Sequence, residues 1–181
     1  MNFILIVMAI LSFSMHLCAR VNLQNQIFLH KRYHETDITK IEPQYPSYIT
    51  HNHFGLCLKA SQDLDLGVIV GTNDCTVTDK EYIAGHESLE HRHSMVIGVT
   101  QDGKPIFGRG WGKGVYTNHS CDPNCKSIDG NIVTIRNVKK DEELTTSYDQ
   151  FIPGVAWDPK WNFKCFCNTP NCRLFIDSYK K

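Results

Sequence analysis

The sequence predicts a mostly β domain of many short strands with few short helices. From Ile49 onward the apolar residues come in short runs bounded by glycine and polar turn residues, a pattern that favours strands over helices. Asp102-Gly103 and Asp129-Gly130 add two hairpin signals. Thr78-Asp79-Lys80-Glu81 has capping-box spacing, so a short helix is expected there, limited in length by Gly85.

Taken in order, the chain opens on an apolar run from Phe3 to Leu11, with Leu17-Cys18-Ala19 after it as a small-residue end. Residues 1–19 resemble a secretory signal peptide; as a membrane span the run is short, since crossing takes about 20 apolar residues. An anchor and a buried helix are the alternatives. Residues 20–48 are polar and irregular, broken by Pro43 and Pro46, and form a lead-in without cysteine. Gly55 to Ala60 and Gly67 to Gly71 are strand candidates separated by a Ser61-Gln62-Asp63 turn. Ser94 to Thr100 is another, followed by Ile106 and Phe107 across the Asp102-Gly103 turn. Glycines at 108, 110, 112 and 114 suggest a flexible approach to the stretch that follows, and Asn131 to Val138 reads as a strand after Asp129-Gly130.

Composition narrows the partners. The 181 residues are 41% hydrophobic and 21% charged, which suits one globular domain. Lys and Arg total 19 and so do Asp and Glu, so there is no net basic field of the kind that binds phosphate backbones. Direct nucleic-acid binding is not expected, and His30-Lys31-Arg32 is read as a solvated face. His86, His91 and His93, with Glu87 and Glu90, miss the spacing that puts two histidine ligands on one helix face, and are read as a solvated loop or helix end.

The cysteines say more. Cys165, Cys167 and Cys172 form a CxCx4C cluster, one thiolate short of a closed tetrahedral zinc site. A fourth ligand must come from elsewhere. If Cys18 leaves with a signal peptide, seven of the eight cysteines remain, an odd count that a full disulfide framework does not accommodate. Zinc is therefore the favoured reading and disulfides the alternative, the more so in an oxidising compartment.

Tyr116-Thr117-Asn118-His119-Ser120-Cys121-Asp122-Pro123-Asn124-Cys125, Glu143 to Asp149, and the C-terminal cluster together resemble the SET-domain protein lysine methyltransferases, with a post-SET zinc motif. The resemblance covers about residues 49 to 175 and implies a fold of several small sheets with a pseudoknot, the SET domain at 49–152 and a zinc-binding tail at 153–181. It supplies Cys121 as the fourth zinc ligand, leaving Cys57, Cys75 and Cys125 as ordinary buried or free thiols. It implies that Gly55, Leu56, Asn118 and His119 contact S-adenosylmethionine and that Tyr148 and Tyr116 are the catalytic residues, Tyr116 by lining the lysine channel. Trp157, Trp161 and Phe163 are read either as core or as channel wall.

The implied substrate is a protein lysine, with a histone tail as one candidate, and a SET-like module that reads a peptide without methylating it is the alternative. Methyl transfer needs a neutral amine, and a free lysine with pKa about 10.4 requires about 4 to 5 kcal/mol to be neutral at pH 7. An apolar channel beside a positive sulfonium lowers that requirement. Four features depart from the family pattern: Cys57 at the second glycine of the cofactor strand, Thr146 where Phe or Tyr limits the number of methyls, Val115 for a common Arg, and a stretch after Ile69 that lacks the Tyr often found there. Oligomeric state is not legible. Export followed by action on the chromatin of another organism would reconcile a signal peptide with this chemistry.

Overall fold

The computed structural model describes residues 44–88, 91 and 93–180; the expected signal peptide and most of the lead-in lie outside them. Among the described residues no helix is long and apolar enough to cross a membrane. The described residues form twelve short strands: β1 (Ser47–Asn52), β2 (Gly55–Ala60), β3 (Ile69–Thr72), β4 (Asp74–Thr78), β5 (Ser94–Val99), β6 (Pro105–Trp111), β7 (Asn118–His119), β8 (Cys125–Ile128), β9 (Asn131–Thr134), β10 (Thr145–Thr146), β11 (Phe163–Lys164) and β12 (Phe175–Ile176). Two 3-10 turns, Lys113–Tyr116 and Pro159–Trp161, lead into the central motif and the tail.

The strands make five small sheets: the hairpin β1-β2, the three-stranded β3-β9-β8 and β4-β6-β5, and the pairs β7-β10 and β11-β12. The β8-β9 hairpin closes on Asp129-Gly130, both at positive φ (48° and 77°), as the turn signal anticipates. The main core is apolar and closed, with Leu58, Val70, Ile132, Val138 and Leu144 each at most 1% exposed.

Three local expectations give way. No helix starts at Thr78, which ends β4; its hydroxyl accepts the Lys80 N–H two residues on, a side-chain turn that replaces the cap. The strand from Asn131 ends at Thr134, because Ile135 N–H turns to the Asn124 carbonyl and Thr134 Oγ1 donates to the Asp65 carbonyl. Gly108 and Gly110 are strand residues in β6, and what they supply is space. A Cβ on Gly110 would lie 2.8 Å from Asn73 Oδ1 and Met95 Cε, and one on Gly114 only 2.5 Å from the Thr72 carbonyl oxygen.

The pseudoknot is built from main-chain bonds on both sides of residues 142–146. On one side Ala60 N–H donates to Glu142 O and Leu144 N–H to Leu58 O. On the other, β10 runs parallel to β7 with Thr145 opposite Asn118 and Thr146 opposite His119, and Ser120 N–H donates to Thr146 O.

Asn124, 1% exposed, is the clamp between them. Its Nδ2 donates to Glu143 O (2.8 Å) and Glu142 Oε1 (3.1 Å), and its Oδ1 accepts from Thr145 N–H (2.8 Å). It does more than shape the turn after Pro123. Asn124→Ala strands buried main-chain groups and is expected to cost about 3 kcal/mol of stability, read as a shift of the urea midpoint; a variant within about 0.5 kcal/mol of the parent would refute the clamp.

Candidate active site

The crossing of β7 and β10 brings the two chemistry-bearing stretches into contact. Tyr148 comes after β10 with Ser147 between, and its main-chain N–H donates to His119 Nδ1 at 3.1 Å. That bond leaves the imidazole hydrogen on Nε2, which lies 3.5 Å from Cys121 Sγ. Both ring nitrogens of His119 are therefore engaged inside the protein, and what it offers a ligand is its main chain. Burial holds the imidazole down at about 4, with Asp149 opposing and Arg173 and Lys180 assisting, so it is neutral at physiological pH.

Tyr148 is partly exposed, but its hydroxyl donates to the Thr117 carbonyl at 2.6 Å. Burial, then Tyr82 and Glu143, push this phenol well above the ordinary tyrosine range. It stays protonated through the neutral range. With its hydrogen committed to Thr117, the oxygen can act only as an acceptor toward a ligand.

Tyr148 lines a cavity of about 210 Å³ whose walls are largely aromatic: Tyr82, Trp157, Trp161, Phe163 and Tyr179. Thr146, Val96 and Ile152 complete the apolar side. Trp157 stands edge-on to both Trp161 (5.6 Å) and Tyr179 (5.3 Å), so the two readings of these tryptophans hold together: they pack as a cluster and they wall the cavity. Tyr116 is not part of that wall. Its ring packs against the main core and stands edge-on to His93 at 6.2 Å.

On the β2 side, Gly55 has φ +126° and no atom within 4 Å of where a Cβ would stand, and Leu56 is 44% exposed. Asn118 Nδ2 donates to Glu143 Oε1 (2.7 Å) and reaches Leu56 O (3.4 Å), while Asn52 donates to the same carboxylate. Exposed Phe54 and Phe166 stack 5.6 Å apart nearby in the chain path, joining the start of β2 to the cysteine cluster. Cys57 is fully buried, so its thiol does not obstruct a ligand lying over the open Gly55-Leu56 end; burial and then Glu143 raise its pKa.

The fourth thiolate is where the cluster requires it. The sulfurs of Cys121, Cys165, Cys167 and Cys172 lie within 4.8 Å of one another, and Cys121 to Cys165 is 3.7 Å. A tetrahedron with Zn–S of about 2.3 Å has edges of about 3.8 Å, so the four fit a closed zinc site. Main-chain N–H groups of Cys121 and Arg173 point at Cys167 Sγ and Cys121 Sγ, polarity suited to anionic sulfur. Cys57 and Cys125 are free buried thiols, that of Cys125 pushed up to about 12 by burial, whereas Cys75 is disulfide-bonded and so is not the ordinary thiol that counting suggested.

Sequence reasoning missed the bond that fastens the tail. Asp149, 1% exposed, pairs with Arg173 Nη1 at 2.7 Å and accepts from Ser147 Oγ, while Arg173 also reaches Ser178 O and Oγ. No local periodicity announces a pair 24 residues apart. Arg173→Met leaves a buried carboxylate uncompensated and is expected to destabilise by about 3 kcal/mol in thermal or denaturant unfolding; a stability unchanged from the parent would show the pair to be incidental.

The SET domain family profile matches residues 33–149. The chain is 28% identical over 163 residues to a Mycosarcoma maydis histone-lysine N-methyltransferase, H3 lysine-36 specific, covering 82% of this chain and 15% of that protein. It is 28% identical over 173 residues to a Gibberella zeae protein of the same description, covering 84% and 16%. A Schizosaccharomyces pombe SET domain and MYND-type zinc finger protein 6 is 45% identical over 64 residues, 30% of this chain and 13% of its own. The chain thus spans about one-sixth of the length of the first two relatives.

Proposed function

Because the chain belongs to the SET-domain family, we propose that it transfers methyl groups from S-adenosylmethionine to a lysine side chain of a protein substrate, with histones as the substrate class. The observation that carries this reading is the Tyr148 oxygen, held as an acceptor on the wall of an aromatic cavity beside the Asn118-His119 crossing. The histone direction is drawn from the relatives described as H3 lysine-36 specific methyltransferases.

Each part of the site has a task in this reaction. Gly55, Leu56, Asn118 and the main chain of His119 would hold the cofactor, with the exposed Phe54-Phe166 pair as an apolar platform for its base. When bound, S-adenosylmethionine supplies the methyl on an electrophilic sulfonium. Trp157, Trp161 and Phe163 strip water from an entering lysine and favour its neutral form. Tyr148 accepts a hydrogen bond from the amine and fixes its line of approach; with a raised pKa it is not the proton acceptor, and alignment with exclusion of water supplies the acceleration. Tyr116 acts on this path only by packing behind the motif.

Zinc on Cys121, Cys165, Cys167 and Cys172 would be structural, since four thiolates leave no open position for a water or substrate. Its role is to hold the tail, and with it Trp161 and Phe163, against the cavity.

Thr146 sets the room left for methyls already added. It is buried in the cavity wall with its Oγ1 3.3 Å from Thr117 Oγ1. Thr146→Phe is expected to lower the number of methyls per lysine, seen by mass spectrometry as a shift from higher to mono-methylated product; an unchanged distribution would remove Thr146 from this role.

The reading is tested by incubating the zinc-loaded protein with methyl-labelled S-adenosylmethionine and histones. Label recovered as methyl-lysine is the expected result. Cofactor binding without transfer to any protein would instead support a silent peptide-reading module.

A further inference from the structure

We propose that Trp161 and Tyr179, both carried by the C-terminal segment, are positioning residues that hydrogen-bond an amide group of the substrate peptide inside the aromatic cavity. This rests on the peptide-substrate reading above. Among the described residues, Trp161 Nε1, Tyr179 Oη and Asn73 Oδ1 are buried and without a hydrogen-bond partner, and all three residues line this one cavity. Trp161 is 6% exposed, and Asn73 makes only a 3.6 Å contact through its other amide atom, to Met95 Sδ.

Their chemistry identifies the missing partner. A lysine ammonium only donates, so it could satisfy Asn73 Oδ1 but never the indole N–H, which also only donates. An amide carries an acceptor and a donor together, and so can answer Trp161, Asn73 and Tyr179, whose hydroxyl plays either part. Unpartnered buried polar atoms weaken the free protein. Three in one cavity are explained if their partner arrives with the substrate.

The tail positions both donors. Trp161 ends the 3-10 turn capped by Asp158, and its ring packs on Trp157, which in turn meets Tyr179. Lys180, next to Tyr179, is tied by its N–H to Asp149 O and by Nζ to Cys121 O, so the cysteine cluster and the cavity wall are ordered together.

Tyr179→Phe removes one oxygen and keeps the ring. Equilibrium binding of recombinant histone H3 to the zinc-loaded protein is expected to weaken about fivefold, the loss of one neutral hydrogen bond, with thermal stability unchanged or raised. Trp161→Phe should weaken binding likewise. In the transfer assay Tyr179→Phe should raise KM with kcat changed by less than about twofold, since the reacting atoms are untouched. Replacing Asn and Gln residues of H3 by Ala separates the sources: weaker binding marks a side-chain amide, retained binding the main chain. H3 affinity unchanged in both protein variants means that water alone satisfies these atoms and overturns the proposal, as does failure of H3 to bind at all. Binding decides this inference even if labelled transfer fails, an outcome that would count only against the methyltransferase reading.

Discussion

Cys121→Ser is expected to empty the thiolate site and free the tail from the central motif. The residue serves two assemblies at once. Its sulfur lies among those of Cys165, Cys167 and Cys172, while its carbonyl accepts from Asn171 Nδ2 (3.3 Å) and Lys180 Nζ (3.0 Å), and its Sγ receives the Arg173 N–H (3.4 Å). A serine hydroxyl is a harder, neutral and weaker ligand for zinc than a thiolate. Zinc held by these four thiolates would contribute on the order of 10 kcal/mol of ordering free energy, far above the few tenths typical of exposed ion pairs.

Its loss should therefore release the segment that carries Trp157, Trp161, Phe163 and Tyr179 and dismantle most of the cavity wall. Metal analysis should fall from about one zinc per chain to near none, by the four-ligand stoichiometry of a closed site. Limited proteolysis should begin to cut between residues 157 and 180, and a strong chelator should reproduce both effects on the parent. Unaltered zinc content in Cys121→Ser would break the link between motif and tail.

How much of this was legible in the sequence depended on the range of the interaction. Short-range chemistry read well: the Asp129-Gly130 hairpin, the strands β2, β5 and β6, and the cysteine spacing all follow from a few neighbouring residues. Cys121 joining the tail cluster, 44 residues away from Cys165, was legible only through family resemblance, and the sulfur distances agree with it. Thr78 misled because a hydroxyl with an acidic residue three positions on serves a strand end as well as a helix start, and pairing of β4 with β6 decided between them. Gly108 and Gly110 suggested flexibility because composition does not reveal what lies opposite; the side chains of Ile97 and Met95 do. The Asn124 clamp and the Asp149-Arg173 pair are long-range contacts of single residues, which leave no periodic trace. Family resemblance puts Tyr116 in the channel, yet the 3-10 turn at Lys113–Tyr116 sets its ring against the core.

Tyr148→Phe is expected to lower the rate of methyl transfer by at least about a hundredfold, comparable to losing one well-placed polar group in a water-poor site. The substitution removes the oxygen bound to Thr117 O and keeps the ring beside His119 and Phe163, at 5.6 and 6.1 Å, so fold and zinc content should not change. Because the phenol is already protonated across neutral pH, the loss should be nearly constant from about pH 7 to 9, below even the unperturbed tyrosine pKa of about 10. A general base with a pKa in that range would make it pH-dependent. The deciding measurement is methyl-lysine formed on histone by zinc-loaded parent and Tyr148→Phe proteins under the same conditions. The parent should label lysine and the variant should be at least about a hundredfold slower; no methyl-lysine from the folded, cofactor-bound parent, or equal rates from the two, would contradict the assignment of this site to methyl transfer.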